Sequence, residues 1–394
     1  MNFKKIRLKK GKEESIRRFH PWVFSGAIES MAGTPDDGDI VEVYSNDGTL
    51  LGTGHFQKGS IAVRLMSFGS EKLDDKFYAK RLEEAYRLRR TLGSINAETD
   101  SYRLVHGEGD FLPGLIVDVY GNTAVMQAHS PGIHFARETI AKCLVGLPEA
   151  GIANVFYKSE TTLPFKASLD PQNDYIVGGF DGNIGKENGL MFHVDWLKGQ
   201  KTGFFIDQRD NRELLGRYSS GKKVLNMFCY TGGFSVYALK GGATKVVSVD
   251  SSAKAISLTD SNVELNFGDK APHTSVSMDA FKYLDEMTQD EFDLIVLDPP
   301  AFAKHRSAIQ NALRGYQKLN FKAIRKIKTG GILFTFSCSQ AISREQFRLA
   351  VMSASAASGR KVRILHQLSQ PADHPVNIYH PEGEYLKGLV LYIE

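Results

Sequence analysis

Short runs in which apolar and polar residues alternate open the chain: Asp39-Ile40-Val41-Glu42-Val43-Tyr44, then Ile61-Ala62-Val63-Arg64-Leu65. A period of two predicts half-buried strands. Between them Asn46-Asp47-Gly48 supplies a hairpin turn, because these residue types tolerate positive φ. Residues 1–70 therefore read as a small, mostly-β domain. From residue 71 the period lengthens: Leu73, Phe77, Leu82, Tyr86 and Leu88 recur at helical spacing among charges, and Gly93 ends the run. Residues 100–178 return to strands, with a hairpin from Gly114 to Gln127 that turns at Gly121-Asn122. A helix near 132–145 and strands near 152–158 and 175–180 complete a helical connector and small α+β domain over 71–185.

From about residue 186 apolar strands alternate with helices to the end of the chain at residue 394. Strands are predicted at Val224–Phe228, Lys245–Val249, Ser275–Met278, Leu294–Leu297, Ile332–Phe336, Val362–Leu368 and Leu389–Ile393. Helices are predicted between most of them, for example over Ala253–Asn266 and Arg344–Ala356. Such alternation implies an α/β, Rossmann-like domain over 186–394, a doubly wound sheet with helices on both faces. No internal repeat is present.

Composition narrows the class. Hydrophobic residues make up 42% of the 394 positions, which excludes a disordered chain. No run of about 18 apolar residues occurs, so no membrane span is expected. Met1-Asn2-Phe3-Lys4-Lys5 leads into charge rather than an apolar signal core. Cys143, Cys229 and Cys338 lie far apart, which argues against a disulfide framework or a structural zinc site and for a reducing cytoplasm.

The net charge of +4 is small, but the cations are unevenly spread. Residues 1–20 hold Lys4, Lys5, Arg7, Lys9, Lys10, Lys12, Arg17 and Arg18 against Glu13 and Glu14. Residues 301–330 hold Lys304, Arg306, Arg314, Lys318, Lys322, Arg325, Lys326 and Lys328 with no acid. Two basic clusters suggest docking of a polyanion, most naturally nucleic acid, although a solvated helix face is the commoner origin of one run.

In a doubly wound sheet the ligand sits beyond the carboxyl ends of the strands, where strand order reverses. The first strand here ends in Asn226-Met227-Phe228-Cys229-Tyr230-Thr231-Gly232-Gly233. Its glycines let backbone approach a ligand, yet the segment lacks the Gly-x-Gly-x-x-Gly spacing of a pyrophosphate clamp. The second strand ends at Asp250, suited to ribose hydroxyls, though helix N-capping is the commoner use of such an Asp. Asp279 after the third strand is a candidate acceptor for an adenine amino group, and the fourth ends in Asp298-Pro299-Pro300. In this order and spacing the pieces describe an S-adenosylmethionine site.

Phe204-Phe205-Ile206-Asp207-Gln208-Arg209-Asp210-Asn211-Arg212, Asn226 to Ser235, Leu297 to Phe302, Phe336-Ser337-Cys338-Ser339 and Ala372-Asp373-His374-Pro375 closely resemble the RlmI family, bacterial 23S ribosomal RNA (cytosine-5) methyltransferases. The resemblance runs over nearly the whole chain, and His20-Pro21-Trp22-Val23-Phe24-Ser25-Gly26 resembles the start of that family's PUA domain. It implies an N-terminal PUA domain, a small middle domain and a class I methyltransferase domain. It also implies that Phe205, Gln208 and Arg209 help to frame the cofactor site. The implied partner is 23S ribosomal RNA or a large-subunit precursor; a second copy of the chain is a further candidate partner, which the sequence does not decide.

Carbon 5 of cytosine is a poor nucleophile until a cysteine thiolate adds at carbon 6. In that chemistry Cys338, at the end of strand five, is the expected nucleophile, with its thiol activated by its surroundings. Asp298 is placed for the cytosine edge; Phe302 is a candidate to stack on the base, and Lys304 and Arg306 to hold RNA. Cys143 and Cys229 read as buried small hydrophobes. Many RNA cytosine-5 methyltransferases carry a second cysteine after the strand-four Pro; Asp298-Pro299-Pro300-Ala301-Phe302 has none, so the proton acceptor is unassigned, with His374 and water among the candidates. Two rival readings remain. Asp-Pro-Pro followed by an aromatic also serves methylation of a ring or exocyclic nitrogen, which needs no cysteine. A non-catalytic RNA-binding assembly factor would have no reason to bind S-adenosylmethionine.

Overall fold

The computed structural model describes residues 3–164, 169, 172–303 and 305–394. The chain forms two compact units. One comprises Met1–Gly189, Val194–Ile206 and Ala372–Gly383; the other comprises Leu190–His193, Asp207–Pro371 and Glu384–Glu394.

The first unit contains a six-stranded sheet in the order Trp22–Phe24, Ile61–Ser67, Leu50–Phe56, Ile40–Tyr44, Lys4–Leu8, Ile28–Ala32. The alternation seen in the sequence turns Val41 and Val43 inward against Ile6, Leu8, Val63 and Leu65. Asn46-Asp47-Gly48 turns the chain between Ile40–Tyr44 and Leu50–Phe56, with Gly48 at φ +88°. Leu50–Phe56 was not expected as a strand, because two glycines interrupt its pattern. They stand there because neighbouring backbone passes close: a Cβ on Gly54 would lie 2.2 Å from the carbonyl oxygen of Arg64, and one on Gly52 2.4 Å from that of Ser67.

The same unit carries a five-stranded sheet in the order Asp174–Val177, Asn154–Tyr157, Thr123–Ala128, Leu115–Tyr120, Ser101–His106. Helix Asp75–Thr91 covers it, capped by the Asp74 carboxylate and burying Phe77, Leu82 and Tyr86. The helix expected near 132–145 is two, Pro131–Phe135 and Arg137–Val145, joined at Ala136.

The second unit is built on a seven-stranded sheet: β1 (Lys223–Met227), β2 (Lys245–Asp250), β3 (His273–Ser277), β4 (Leu294–Leu297), β5 (Gly331–Ser337), β6 (Val362–Leu368) and β7 (Lys387–Ile393). The order is β3-β2-β1-β4-β5-β7-β6, with β7 antiparallel to both neighbours. Helices Ile309–Lys326 and Arg344–Ser358 cover one face through Leu319, Ala323, Ile324, Phe347 and Val351. Helices Arg209–Tyr218 and Gly233–Lys240 cover the other through Leu215, Phe234 and Ala238. Both faces are therefore buried, which is why β4 reads as a continuous apolar run, Leu294-Ile295-Val296-Leu297, rather than an alternating one. Among the described residues no helix is long and apolar enough to cross a membrane.

Candidate active site at the carboxyl ends of the strands

Strand order reverses between β1 and β4, and the register pairs Met227 with both Val249 and Leu297, and Leu297 with Thr335. The residues just beyond these pairs, Phe228, Asp250, Asp298 and the Ser337-Cys338-Ser339 turn, thus emerge on one edge of the sheet. That is the edge at which such sheets hold ligands.

The loop after β1 is unusual in its backbone. Phe228 (φ +60°), Tyr230 (+47°) and Gly232 (+75°) are all left-handed, a conformation that aromatic residues seldom accept without other constraints. The constraints are visible. The backbone N–H of Tyr230 donates to Asp250 Oδ2 (3.1 Å), Thr259 Oγ1 donates to the Tyr230 carbonyl (3.0 Å), and Asn262 Nδ2 donates to the buried Thr231's carbonyl (2.8 Å). A Cβ on Gly232 would sit 2.6 Å from Thr259 Cγ2, so helix Ala253–Phe267 packs directly on the loop. Asn226 donates to Ser235 Oγ at 2.8 Å, while its buried Oδ1 has no partner.

Asp250 is not the helix cap; Ser252 caps Ala253–Phe267. Its Oδ1 accepts from the Ser252 N–H at 2.9 Å, so two of the roughly four acceptor positions of the carboxylate are used and the rest remain for hydroxyl donors. Asp279 does cap a helix, accepting from the Lys282 N–H at 3.0 Å. A carboxylate with spare acceptor positions, beside a bent glycine loop without a lysine, fits a nucleoside with a free ribose and not a phosphate chain. S-adenosylmethionine is such a molecule.

Beyond β4 the Asp298 carboxyl lies among charged groups. Burial and the neighbouring Asp207 push it up to about 7, against a hydrogen bond from the Gln208 side chain and the charge of Arg212. Asp207 is itself held by the Tyr385 hydroxyl at 2.6 Å. Pro299 is buried, and its carbonyl oxygen lies 3.8 Å from Cys338 Sγ. The thiol therefore stands beside the acid. Its surroundings do not activate it as expected: burial, Asp298 and Asp207 push it up to about 12, opposed by the charge of Lys387. Cys229 is likewise pushed up to about 12 by burial, its Sγ 3.5 Å from Thr259 Oγ1.

The Cys338 turn is fastened from behind. Tyr316 Oη bonds Ser337 Oγ and Ser339 Oγ, each at 3.0 Å, and Ser339 Oγ accepts from the Ala303 N–H at 3.2 Å. Phe302 packs on Tyr316, ring centroids 4.6 Å apart, and closes over Gly315. The ring offered as a platform for the base is thus a packing element of this turn.

The basic stretch is a further correction. Lys322 pairs with Asp285, Lys326 Nζ donates to the Asp285 and Met287 carbonyls, and Lys328 pairs with Asp293 at 3.1 Å. Lys318 and Arg325 lie over the rings of Phe281 and Phe321. Much of this run is therefore engaged within its own unit rather than held out for a polyanion. Lys304 and the side chain of Arg306 lie outside the described residues. Phe205 belongs to the first unit, whereas Gln208 and the buried Arg209 belong to the second. His374 is in the first unit, fully buried, with Nδ1 2.9 Å from Asp373 Oδ1 and its ring 5.1 Å from that of His106. Cys143 is partly exposed, donating to the Asp75 carbonyl at 3.5 Å.

Asp207, Tyr316 and Lys387 were not singled out in the sequence. Asp207 sits within the Phe204–Arg212 motif, but the other two carry no local signal.

Comparison with known proteins agrees with this geometry. Residues 6–68 match the model of a PUA-like domain, and residues 178–381 match that of an S-adenosylmethionine-dependent methyltransferase. The ribosomal RNA large subunit methyltransferase I of Aeromonas hydrophila is 42% identical over 394 aligned residues, 98% of each chain. That of Escherichia coli O139:H28 is 39% identical over 97% of each. A provisionally assigned SAM-dependent methyltransferase from Streptococcus mutans has the same fold, with a TM-score of 0.83 at 24% identity, covering 98% of this chain and 99% of its own. A second structure with the same TM-score and coverage is of a methyltransferase complexed with SAH.

Proposed function

We propose, for a chain that belongs to the ribosomal RNA large subunit methyltransferase I family of S-adenosylmethionine-dependent methyltransferases, that it methylates carbon 5 of a cytosine in large-subunit ribosomal RNA through a covalent Cys338 adduct. The observation that supports the carbon-5 reading is the pairing at the β4 and β5 ends: a thiol beside a carboxyl that titrates near neutrality. Methylation of a nitrogen needs no thiol there.

Each residue then has a defined task. Cys338 adds as thiolate to carbon 6, forming the Sγ–C6 bond. Asp298, protonated for part of the time at neutral pH, donates its proton to nitrogen 3, so that carbon 5 becomes the nucleophilic end of an enamine. S-adenosylmethionine, when held by Asp250, Asp279 and the loop from Asn226 to Gly233, supplies an electrophilic methyl group on a sulfonium. Loss of the carbon-5 proton to a base then expels Sγ, and nitrogen 3 returns its proton to Asp298. While Asp298 holds its proton, one of the two carboxylate charges that raise the Cys338 thiol is gone, so acid and nucleophile act in concert. Gln208 and Pro299 hold Asp298 in place, and Arg209 frames the cofactor side.

The PUA-like domain and the cations of residues 4–18 supply RNA affinity that weakens with salt. The RNA substrate sets the compartment as the cytoplasm, in keeping with three free thiols. Nucleoside analysis of large-subunit RNA methylated in vitro tests the proposal. 5-Methylcytidine is expected, and an N-methylated purine would overturn the carbon-5 reading.

The cofactor assignment makes a separate prediction. Asp250→Ala removes an acceptor for ribose hydroxyls and also frees the Tyr230 and Ser252 N–H groups that order the loop. A hydrogen bond to a charged group contributes about 1.5–3 kcal/mol, so S-adenosylmethionine affinity measured by calorimetry is expected to fall at least about tenfold. Unchanged affinity in a folded variant would move the cofactor elsewhere on the edge.

A further inference from the structure

Lys387 opens β7 and is 3% exposed. Its Nζ donates to the carbonyl oxygen of Ser339 at 2.7 Å, and among the described residues no carboxylate forms an ion pair with it. The antiparallel register sets Lys387 opposite Ser337. The lysine thus brackets the thiol: it faces the residue before Cys338 across the sheet and bonds the carbonyl of the residue after it. A buried ammonium with one carbonyl acceptor and no counter-ion destabilises a fold, since most of its lost hydration is not replaced. An aliphatic residue would fill a position between two strands at no such cost, and the charge therefore calls for a partner that appears during the reaction.

We propose that Lys387 is a positioning residue whose charge compensates the Cys338 thiolate during attack on the base, with the Ser339 carbonyl holding the ammonium in place. The inference rests on Cys338 as nucleophile and adds the group that makes its thiolate accessible. The groups facing Lys387 agree: burial and Arg344 lower its proton affinity to about 8, while Cys338 and Glu384 raise it. In the other direction, among the described residues Lys387 is the neighbouring side-chain charge that lowers the thiol, beside a backbone hydrogen bond and against burial, Asp298 and Asp207. With the base bound, Asp298 protonated and Lys387 charged, the thiolate faces a cation and one remaining carboxylate.

The test needs no RNA. Alkylation of the full-length protein by iodoacetamide, resolved at the Cys338 peptide by mass spectrometry, reports the thiolate fraction from pH 7 to 10. Lys387→Met keeps length and removes charge; it is expected to slow Cys338 alkylation at pH 8 at least about tenfold, one unit of thiol pKa. Lys387→Arg is expected to stay within about threefold of wild type, and the Cys229 peptide serves as internal reference. Unchanged Cys338 alkylation in a folded Lys387→Met variant would make the lysine a strut for Ser339 and overturn the proposal. Should Lys387→Met not fold, Lys387→Arg carries the test alone. Arginine keeps its proton where lysine loses it, so the ratio of Arg-variant to wild-type alkylation rates should climb as pH rises above about 8. A flat ratio overturns the proposal. Failure of the two readings is separable. Alkylation that responds to Lys387, beside RNA trapping that survives Cys338→Ala, removes the nucleophile and keeps the charge pairing. The reverse combination removes Lys387 and keeps the nucleophile.

Discussion

Cys338→Ala is expected to reduce methylation at least about 10³-fold, the scale found when a covalent nucleophile is removed, and to abolish trapping on fluorinated RNA. In RNA carrying 5-fluorocytosine at the target, the Sγ–C6 bond forms and methyl transfer proceeds, but carbon 5 then bears fluorine where a proton should leave. Elimination stops, and wild-type protein with S-adenosylmethionine should give an adduct that survives denaturation. The contrast with Cys229 is informative, because burial raises both thiols to about 12 and proton affinity alone does not choose between them. Position does. Cys229 lies in the loop after β1 against Thr259, whereas Cys338 faces the Pro299 carbonyl beside Asp298. Cys229→Ala is therefore expected to retain the adduct. An adduct lost in Cys229→Ala and kept in Cys338→Ala would reverse the assignment, and N-methylated product without any adduct would establish the nitrogen chemistry.

The positions of these two thiols were legible in the sequence because they depend on local order: one follows β1, the other β5. So were the strands of the second unit. Runs such as Leu294-Ile295-Val296-Leu297 are buried on both faces, and their ends fall within about two residues of expectation, the usual uncertainty of an element boundary. The features that escaped are all set by pairings distant in the chain. Lys387 is one lysine in Glu384-Tyr385-Leu386-Lys387-Gly388, and nothing there marks it as buried. Its place follows from the antiparallel insertion of β7 between β5 and β6, with a long connection after β6.

The same distance hides the electrostatics. The thiol was expected to be activated because it stands at a strand end among hydroxyls. It is raised first because it is buried, and then because Asp298 and Asp207, the latter more than a hundred residues earlier, share its surroundings. The acid-free run from 301 to 330 suggested an open basic face, yet Asp285 and Asp293 fold against Lys322, Lys326 and Lys328. Charge read along a chain overstates the charge left for a partner whenever the next helix or strand carries the opposite sign.

Asp298 gathers these effects into one group, and Asp298→Asn should change activity and stability in opposite directions. The amide cannot donate an acidic proton to nitrogen 3, so the methylation rate is expected to fall about 10²–10⁴-fold, the usual contribution of a positioned general acid. The wild-type rate should rise with pH below about 7 as the Cys338 thiolate fraction grows, and level off above it, where the acid form of Asp298 is lost; Asp298→Asn should show no such break near 7. The stability effect has the opposite sign. The folded-state pKa is raised above the unfolded value of about 3.9, so the native state binds the extra proton, and the favourable contribution is present below pH 4 and lost as pH climbs through about 7. Above that pH the wild type holds an ionised carboxylate beside Asp207, with Gln208 and Arg212 only partly compensating, while asparagine holds no charge. At pH 8 Asp298→Asn should therefore be more resistant to urea, by on the order of 2 kcal/mol, and the gain should vanish near pH 4. Equal stability at both pH values would mean that the carboxyl titrates in its ordinary range, and nitrogen 3 would then have to take its proton from another group.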